Sequence, residues 1–408
     1  MKKIRTESLA FILLLGALGA LPPLSIDAAL PALASIGQSF GRATTEAALT
    51  LSWFMAGFAL AQLGFGPLSE RFGRRPVLLA GMALFTAGSA ACALAPSLGM
   101  LLAMRFLEGC GAGAGMVMVF AIVRDLFDDH QARSRLSYVT AVLSVAPLVA
   151  PLLGAGLLSI GSWRLIYATL SVAGVGLLAV LWFGLAESLH QPDPHALALP
   201  QLARRYRHVL ATPACVGYIA VNGLNFGCMF AYVAGSSFVM IELLGLSPTA
   251  YGLTFSATAG GILLGSFTSG RLGAHRVTAQ RLLDLGTLGA TIGAAITVAL
   301  SLDATPSLWA LLPTLVFTTF CYGVVAPNAG HCALRPMANN AGAASAALGC
   351  GQMGCGALAS WAVAAFGDGR SGMSMSVTML VCAGLAALLH GLWLRRLGEQ
   401  PAHQEALT

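Results

Sequence analysis

Residues 98–123 read LGMLLAMRFLEGCGAGAGMVMVFAIV, and this stretch decides what kind of protein the chain forms. About 20 consecutive apolar residues in a helix cross the hydrocarbon core of a bilayer, so the stretch is long enough to span a membrane. Arg105 and Glu108 lie inside it. Ionisable side chains are costly in hydrocarbon and by default mark a path for substrate or protons. The stretch therefore predicts a transmembrane helix that carries functional charges.

The whole chain has the composition of an integral membrane protein. Of its 408 residues, 57% are hydrophobic and 9% are charged, and the mean hydropathy is +0.79. A soluble domain carries about 25% charged residues. No apolar run alternates as the strands of a membrane barrel do. We therefore predict an all-α membrane protein with twelve transmembrane helices, near residues 8–30, 47–68, 77–95, 98–123, 136–159, 165–186, 213–240, 250–270, 282–301, 307–330, 341–366 and 374–394.

The distribution of basic residues sets the expected orientation of these helices. The net charge is +6, but the basic residues are concentrated in alternate loops rather than in one patch, which excludes a nucleic-acid partner. With the N-terminus in the cytosol, only Arg42, Arg164 and Arg370 fall in outer loops. This positive-inside bias predicts an even number of spans with both termini cytosolic. The predicted cytosolic residues are Lys2, Lys3, Arg5, Arg71, Arg74, Arg75, Arg124, Arg133, Arg135, Arg204, Arg205, Arg207, Arg271, Arg276, Arg281, Arg335, Arg395 and Arg396.

Two other features have competing interpretations. Residues 1–34 resemble a secretory signal peptide, with basic residues, an apolar core and a small-residue site at 32–34. Cleavage would leave eleven spans and spoil the charge bias, so we expect an uncleaved first helix. The nine cysteines lie in or beside spans and lack zinc-ligand spacing to histidine. They favour a packing role, with no metal site and no disulfide.

A polar break at 187–212 divides the chain into two halves of six spans, 1–186 and 213–408. Residues 199–210 could form an amphipathic helix on the cytosolic surface, although a simple basic linker is the plainer interpretation. The halves echo each other at an offset of 200 residues. Short glycine-rich matches also arise by chance, but two at one offset favour an internal duplication. The matching residues are Ser69, Arg71, Gly73, Gly154, Gly156 and Leu158, which recur as Ser269, Arg271, Gly273, Gly354, Gly356 and Leu358.

The loop 66–76, GPLSERFGRRP, joins the second and third spans. Gly73 permits a tight turn, and Pro76 begins a helix where its missing N–H is harmless. A basic turn that only sets topology is the alternative. The loop resembles the signature loop of the major facilitator superfamily, with Glu70 in place of the usual aspartate. The matching residues are Gly66, Leu68, Arg71, Gly73, Arg74 and Arg75.

The resemblance implies the major facilitator fold, in which two pseudo-symmetric six-helix bundles rock about a central site. It also implies a cytosolic latch at this loop. In that latch Glu70 would face the N-terminus of the eleventh helix near Ala341, where an acid is favoured, and would pair with Arg124.

Two more segments resemble motifs of the same superfamily. Residues 105–115 resemble its fourth helix, and Arg105 and Glu108 share one side of that helix. They are either a self-neutralising structural pair or a pair that includes an added proton site. Residues 146–156, APLVAPLLGAG, resemble its antiporter motif in the fifth helix. The resemblance implies a kink that limits proton leak, and plain packing is the alternative. The matching residues are Pro147, Pro151, Gly154 and Gly156.

Three further segments indicate one branch of this superfamily. They are residues 25–33 (SIDAALPAL), 121–127 (AIVRDLF) and 251–255 (YGLTF). They are similar to the bicyclomycin/chloramphenicol-resistance branch of the twelve-span drug:proton antiporters. This resemblance implies a monomer in a bacterial inner membrane that exports small amphipathic drugs in exchange for protons. Such a protein needs no cofactor and contacts only substrate and membrane lipid. Transport of a metabolite such as a nucleoside or siderophore on the same fold stays open.

Asp27 is the strongest candidate for a proton-carrying residue, because it lacks a charge partner within its own helix. A carboxyl group balanced between burial and a nearby Arg105 can bind a proton on one side of the membrane and release it on the other. The alternative is an acid that caps the outer end of the helix. Polar and aromatic residues in other spans are candidates for the cavity lining, namely Trp53, Phe54, Tyr138, Asn222, Asn225, Phe226 and Tyr232.

Other classes of membrane protein fit the sequence less well. A membrane-embedded enzyme needs a nucleophile with a base, or a metal cluster, and the spans show neither pattern. A channel does not need two halves that rock against each other. We therefore expect a transporter and not an enzyme.

Overall fold

The computed structural model describes residues 4–6, 8–303 and 307–395, and in that part the chain forms helices joined by short loops. Lys2, Lys3 and Arg396 of the predicted cytosolic set lie outside the described residues. The helices before the polar break are α1 (Leu9–Asp27), α2 (Leu33–Ser39), α3 (Thr44–Ala47), α4 (Leu49–Phe72), α5 (Arg74–Ala93), α6 (Leu98–Leu126), α7 (Asp129–Ile160) and α8 (Arg164–Gly184). Those after it are α9 (Leu199–Leu210), α10 (Pro213–Ser237), α11 (Pro248–Ala274), α12 (Ala279–Leu300), α13 (Leu308–Leu334), α14 (Ala341–Ala365) and α15 (Met373–Leu388).

Twelve of these helices correspond to the twelve predicted spans. In the described part of the chain, ten helical stretches are long and apolar enough to cross a membrane. The other two predicted spans are α11 and α14, which have 27 and 25 residues. Both are rich in glycine, together with alanine in α14 and with serine and threonine in α11, and each packs against a helix of the opposite half. Their lower hydropathy therefore reflects a position between the halves rather than a missing span.

The helix pairings of the first half recur in the second. The second and fourth long helices, α4 and α6, pack against each other, as do α11 and α13. The third and fourth pair as α5 with α6 and as α12 with α13, and the third and sixth as α5 with α8 and as α12 with α15. This repetition is the parallel-repeat architecture expected of a major facilitator. The predicted fold class is confirmed.

Glycines bring the crossing helices into backbone contact. In the first half, a Cβ on Gly57 would meet the Phe106 carbonyl, and a Cβ on Gly109 would meet the Phe54 carbonyl. In the second half, Gly265 lies in the same way against the Phe320 carbonyl. In a membrane, where lipid is as apolar as the side chains, such close packing supplies much of the attraction between helices.

The helix ends form two faces, which we name by the chain segment they carry. The linker face holds the turn after α4, the polar break at 187–212 and the ends of α11 and α13. The opposite face holds the turns after α1, α5 and α7. The described arginines that were predicted to be cytosolic lie at the linker face, whereas Arg42, Arg164 and Arg370 lie at the opposite face. The arginines are therefore distributed between the two faces of the structure as the sequence predicts.

The two halves also contact each other at the opposite face. There the Thr44 hydroxyl donates a hydrogen bond to the Glu242 carboxylate. Deeper between the halves, the Ser256 hydroxyl donates one to the Leu148 carbonyl at 2.6 Å. At the opposite face Gly367 lies against Thr45. These contacts close the opposite face between the two halves.

The tight crossing of α4 and α6 yields a direct test. Gly109→Ala should lower the free energy of unfolding by about 1–3 kcal/mol, because its Cβ has no room beside the Phe54 carbonyl. Gly99→Ala on the same helix is the matched control, since a Cβ there meets open space. Thermal unfolding in detergent measures both variants. Equal melting temperatures for the two variants would contradict the packing described here.

Candidate functional site

A buried ion pair occupies the middle of the first half. Arg105 and Glu108 are both 0% exposed on α6, and the Arg105 Nη1 donates to the Glu108 carboxylate at 2.8 Å. The guanidinium carbon lies 4.3 Å from the centre of the Phe54 ring and 5.4 Å from that of Tyr167. Aromatic faces attract a cation, and the attraction is larger where water is excluded. The pair is thus enclosed by α4 and α8 as well as by its own helix.

Serine hydroxyls from two further helices add hydrogen bonds to this pair. The Ser25 hydroxyl on α1 accepts from Arg105 at 2.7 Å and donates to Glu108 at 2.8 Å. The Ser89 hydroxyl on α5 donates to the same carboxylate oxygen at 2.9 Å. Buried ion pairs are tolerated only where such extra hydrogen bonds satisfy them. We call Ser25, Ser89, Arg105 and Glu108 the Arg105 cluster.

Asp27 faces away from the Arg105 cluster. It lies two residues after Ser25, and successive residues of a helix are rotated by about 100°, so the two side chains point in nearly opposite directions. Asp27 is 6% exposed, and no hydrogen bond or ion pair to it occurs among the described residues. The expectation that Arg105 balances Asp27 is therefore wrong in this conformation, because Asp27 points away and the Arg105 Nη1 donates to Glu108 and Ser25.

Aromatic hydroxyls of the second half lie on the side that Asp27 faces. Tyr232 and Tyr251 are both buried and within electrostatic range of Asp27. The Tyr232 hydroxyl is 2.9 Å from the Thr258 hydroxyl, and the Tyr251 hydroxyl is 2.8 Å from that of Ser236. Asp27 thus lies at the junction of the halves, beside neutral groups that can exchange hydrogen-bond partners.

The other predicted lining residues divide into two groups. Asn222, Asn225 and Phe226 are buried on α10, where Asn222 donates to Gln352 at 3.2 Å. Trp53 is 46% exposed and packs at its edge on Phe106. Tyr138 is 59% exposed and shares an exposed stripe of α7 with Val145, Val149 and Leu153. Both side chains are thus exposed, and their place in the cavity lining stays a prediction.

The signature loop folds as a hydrogen-bonded turn. Gly73 has φ +97°, a backbone region that disfavours a side chain, and this lets α5 begin directly after α4. Arg74 donates to Asp125 at 2.8 Å and to the Ser69 hydroxyl at 2.6 Å. The Glu187 carboxylate accepts from the backbone N–H groups of Arg74 and Arg75, at the N-terminus of α5 where an acid is favoured. The other matching residues, Gly66, Leu68 and Arg71, lie in the last turns of α4, just before this turn.

The predicted partner of Glu70 is wrong for this conformation. Glu70 accepts from Arg205 of α9 at 3.3 Å, and Arg124 is exposed. Asp125, the next residue on α6, turns toward Arg74 instead, because adjacent helical residues point in different directions. The loop is therefore tied to the linker helix rather than to Arg124.

Helix α9 bridges the two halves at the linker face. Its Tyr206 hydroxyl donates to the Leu63 carbonyl of α4 at 3.0 Å. Burial raises the pKa of Tyr206, so its hydroxyl stays a neutral donor. On the other side, the Arg205 carbonyl accepts from the Asn340 amide at 2.9 Å. Residues 199–210 thus form a helix with contacts to both halves, beyond the simple linker that was the plainer interpretation.

The residues of the antiporter motif lie where α7 meets its neighbours. Pro147 and Pro151 are inside α7, and a Cβ on Gly154 would meet the Ala28 carbonyl just after Asp27. Gly156 faces open space. The motif therefore brings α7 close to the end of α1, and its role in limiting proton leak stays a prediction.

The family is shown by the sequence profile of the Major Facilitator Superfamily, which matches residues 15–360. The chain belongs to this superfamily of membrane transporters, and the predicted resemblance is confirmed. The multidrug resistance protein MdtL of Escherichia coli O81 is 30% identical over 398 residues, 97% of this chain and 98% of MdtL. The MFS-type transporter YdgK of Bacillus subtilis is 33% identical over 349 residues, 84% of this chain and 85% of YdgK. The bicyclomycin resistance protein homolog of Haemophilus influenzae is 28% identical over 351 residues, 83% and 85% of the two chains.

Solved structures share the fold. A POT family transporter bound to a thioalcohol-conjugated peptide superposes with a TM-score of 0.74 at 15% identity, over 96% of each chain. A bacterial homolog of the human lysosomal transporter Spinster, inward-facing and occupied, gives 0.73 at 16% identity, over 96% of this chain and 97% of that one. At this level of identity the likeness is one of architecture.

The Arg105 cluster makes a testable contribution to stability. Glu108→Gln should lower the free energy of unfolding by about 3–5 kcal/mol, because it leaves the buried Arg105 charge unpaired. The matched control is Glu46→Gln, which breaks the exposed 3.5 Å pair with Arg42 and should cost about 0–1 kcal/mol. Melting curves in detergent separate the two effects. A loss no larger for Glu108→Gln than for Glu46→Gln would contradict a charged pair at this site.

Proposed function

We propose that the chain is a drug:proton antiporter that exports small amphipathic compounds across a bacterial inner membrane. The observation that carries this proposal is Asp27, a buried acid without a fixed partner at the junction of two repeated bundles. The names of the relatives, multidrug resistance protein and bicyclomycin resistance protein homolog, support a drug as cargo. The protein acts as a monomer without a cofactor, and the proton is the coupling ion.

The orientation follows from the charges. The linker face carries most arginines and lies in the cytosol together with both termini, as the positive-inside bias requires. The opposite face, closed by contacts such as Thr44 with Glu242, lies toward the cell exterior. Substrate enters between the halves from the linker side and leaves when the contacts of the opposite face open.

The coupling rests on the cost of an isolated charge. A charged carboxylate in a dry apolar site costs several kcal/mol, so Asp27 in the closed arrangement needs a proton, water or a donor group. A proton that reaches Asp27 from outside satisfies it and favours closure around an empty site. Loss of that proton to the cytosol leaves a charge that favours hydration or a substrate donor. Proton binding and substrate binding at this junction therefore exclude each other.

The Arg105 cluster has a different part in this mechanism. Its charges are neutralised within the first half, where Ser25 and Ser89 add hydrogen bonds to the ion pair. It holds α1, α5 and α6 together, so that the end of α1 with Asp27 moves with the first half as a rigid body. Glu108 is thereby a counter-ion, and Asp27 is the proton carrier.

The test is Asp27→Asn in inverted membrane vesicles with an acidic interior. Wild-type protein should release protons when chloramphenicol or tetraphenylphosphonium is added, which a pH-sensitive dye records as recovery of fluorescence. Asp27→Asn cannot carry a proton and should reduce the rate at least about tenfold, the usual scale for a lost proton-transfer group.

The matched control is Asp128→Asn. Asp128 is an exposed acid whose side chain caps α7, and asparagine caps a helix equally well, so wild-type rates are expected. Proton release by Asp27→Asn at the rate of this control would remove Asp27 from the mechanism. Gel filtration and melting temperature establish that both variants are folded.

A further inference from the structure

One face of α10 is polar and aromatic along three turns. At 100° per residue, Asn222, Asn225, Phe226, Met229 and Tyr232 lie within an arc about 120° wide. This arc faces other helices of the second half, and its contacts include Tyr232 with Thr258 of α11, Phe226 with Tyr322 of α13 and Asn222 with Gln352 of α14.

The face also borders the first half. On α14, a Cβ at Gly356 would meet both the Phe226 ring and the Met55 side chain of α4. Phe226 therefore lies where α10, α14 and α4 converge. This point is on the boundary between the two halves.

Two amide oxygens on this face have no hydrogen-bond partner. Asn222 and Asn225 are each 2% exposed, and within the described residues neither Oδ1 accepts a hydrogen bond. An unsatisfied buried acceptor costs about 1–3 kcal/mol. Buried polar groups in native proteins are nearly always paired, so two neighbouring exceptions point to a ligand that supplies the missing donors.

The orientation of the Asn225 side-chain amide is fixed. Its amide nitrogen donates to the Val221 carbonyl at 3.0 Å, and a backbone carbonyl can only accept. The nitrogen must therefore face Val221, and the oxygen is the atom left free. Asn225 offers an acceptor to whatever molecule lies beside it.

The side-chain amide of Asn222 can adopt either of two orientations. It donates to Gln352, and Gln352 donates to the Tyr322 hydroxyl, each at 3.2 Å. A tyrosine hydroxyl can donate as well as accept, so both amides can turn over while both bonds are kept. Asn222 then presents an N–H group instead of an oxygen. The site can thus match a hydroxyl group, which both donates and accepts.

From these observations we infer that Asn225 and Asn222 form a substrate subsite for an uncharged hydroxyl or amide group, with the Phe226 and Tyr322 rings holding the adjoining apolar part. The inference rests on the proposed transport function and names the class of substrate. The pair of amides provides dipoles but no charge. Tyr232, the residue of this face that neighbours Asp27, is seven residues from Asn225, or about 10 Å along the helix. A polar neutral compound fits this arrangement better than a cation without hydrogen-bond donors.

Equilibrium binding to the purified full-length protein tests the inference with three probes. Chloramphenicol carries two hydroxyl groups, its diacetate carries neither hydroxyl hydrogen, and tetraphenylphosphonium carries no donor. Wild-type protein should bind chloramphenicol about fivefold to tenfold more tightly than the diacetate, the equivalent of one net hydrogen bond. Asn225→Leu, of similar size, should remove most of that preference.

Asn328→Leu is the matched control. Asn328 is also an asparagine in a long helix whose amide nitrogen donates to the carbonyl four residues earlier, at 2.7 Å, but it is on α13 next to Ser269. This variant should keep the preference for chloramphenicol within about twofold, since it leaves the subsite hydrogen bond intact. The comparison of probes on wild-type protein does not depend on the folding of any variant.

Three results would overturn the subsite while leaving the proposed function in place. They are equal binding of chloramphenicol and its diacetate, an unchanged preference in Asn225→Leu, and binding of tetraphenylphosphonium without chloramphenicol. Binding of none of the probes also overturns it. Substrate-driven proton release in vesicles reports separately on the proposed function. Asn225-dependent binding without proton release would support the subsite and overturn antiport.

Discussion

The hydrogen-bonded ion pair of Arg105 and Glu108 is the interaction on which the first half depends. In water such a pair is replaceable, but inside a bilayer neither charge has another partner, so each must be satisfied by protein. Four helices supply what the pair needs: α6 both charges, α1 and α5 the hydroxyls, and α4 the Phe54 ring. The geometry is possible because glycines of α5 and α6 allow close approach; a Cβ on Gly88 would be 2.9 Å from the Glu108 backbone.

The same constraint explains why two acids of the first half play different parts. Glu108 accepts hydrogen bonds from donors of its own half, so its contacts need not change when the two halves move. Asp27 lies two residues beyond Ser25, and this small offset in sequence turns it from the interior of one half toward the tyrosines of the other. A single helix thus contributes one residue to a rigid cluster and another to a changeable interface. The break after Asp27, where α1 gives way to a short 3₁₀ turn at Leu30–Ala32, ends the rigid part.

The structural features that depend on local sequence pattern were predicted correctly. Apolar runs located the twelve helices, and spacing within one helix brought Arg105 and Glu108 together. Prediction failed where the partner comes from a distant segment. Nothing near Glu70 indicates that Arg205, 135 residues later, is its partner, and nothing near Arg105 indicates Ser25, Ser89 or Tyr167. Serines and tyrosines in apolar spans are too common to single out. For the exposed Trp53 and Tyr138 the sequence leaves the environment open, since an aromatic ring suits lipid and a binding cavity equally well.

The lower hydropathy of α11 and α14 has a consequence for how the chain is made. A segment enters the bilayer from the translocon on its own only if its apolar residues outweigh its polar ones. Both segments contain many glycines, and α11 also contains many hydroxyl side chains, so each is a poor candidate for independent insertion and gains its stability from close packing with neighbouring helices. One of those neighbours, α4 or α7, belongs to the half that is synthesised first. We therefore expect the earlier bundle to act during biogenesis as a template for α11 and α14. Substitutions that disrupt this bundle should leave the two segments at the membrane surface.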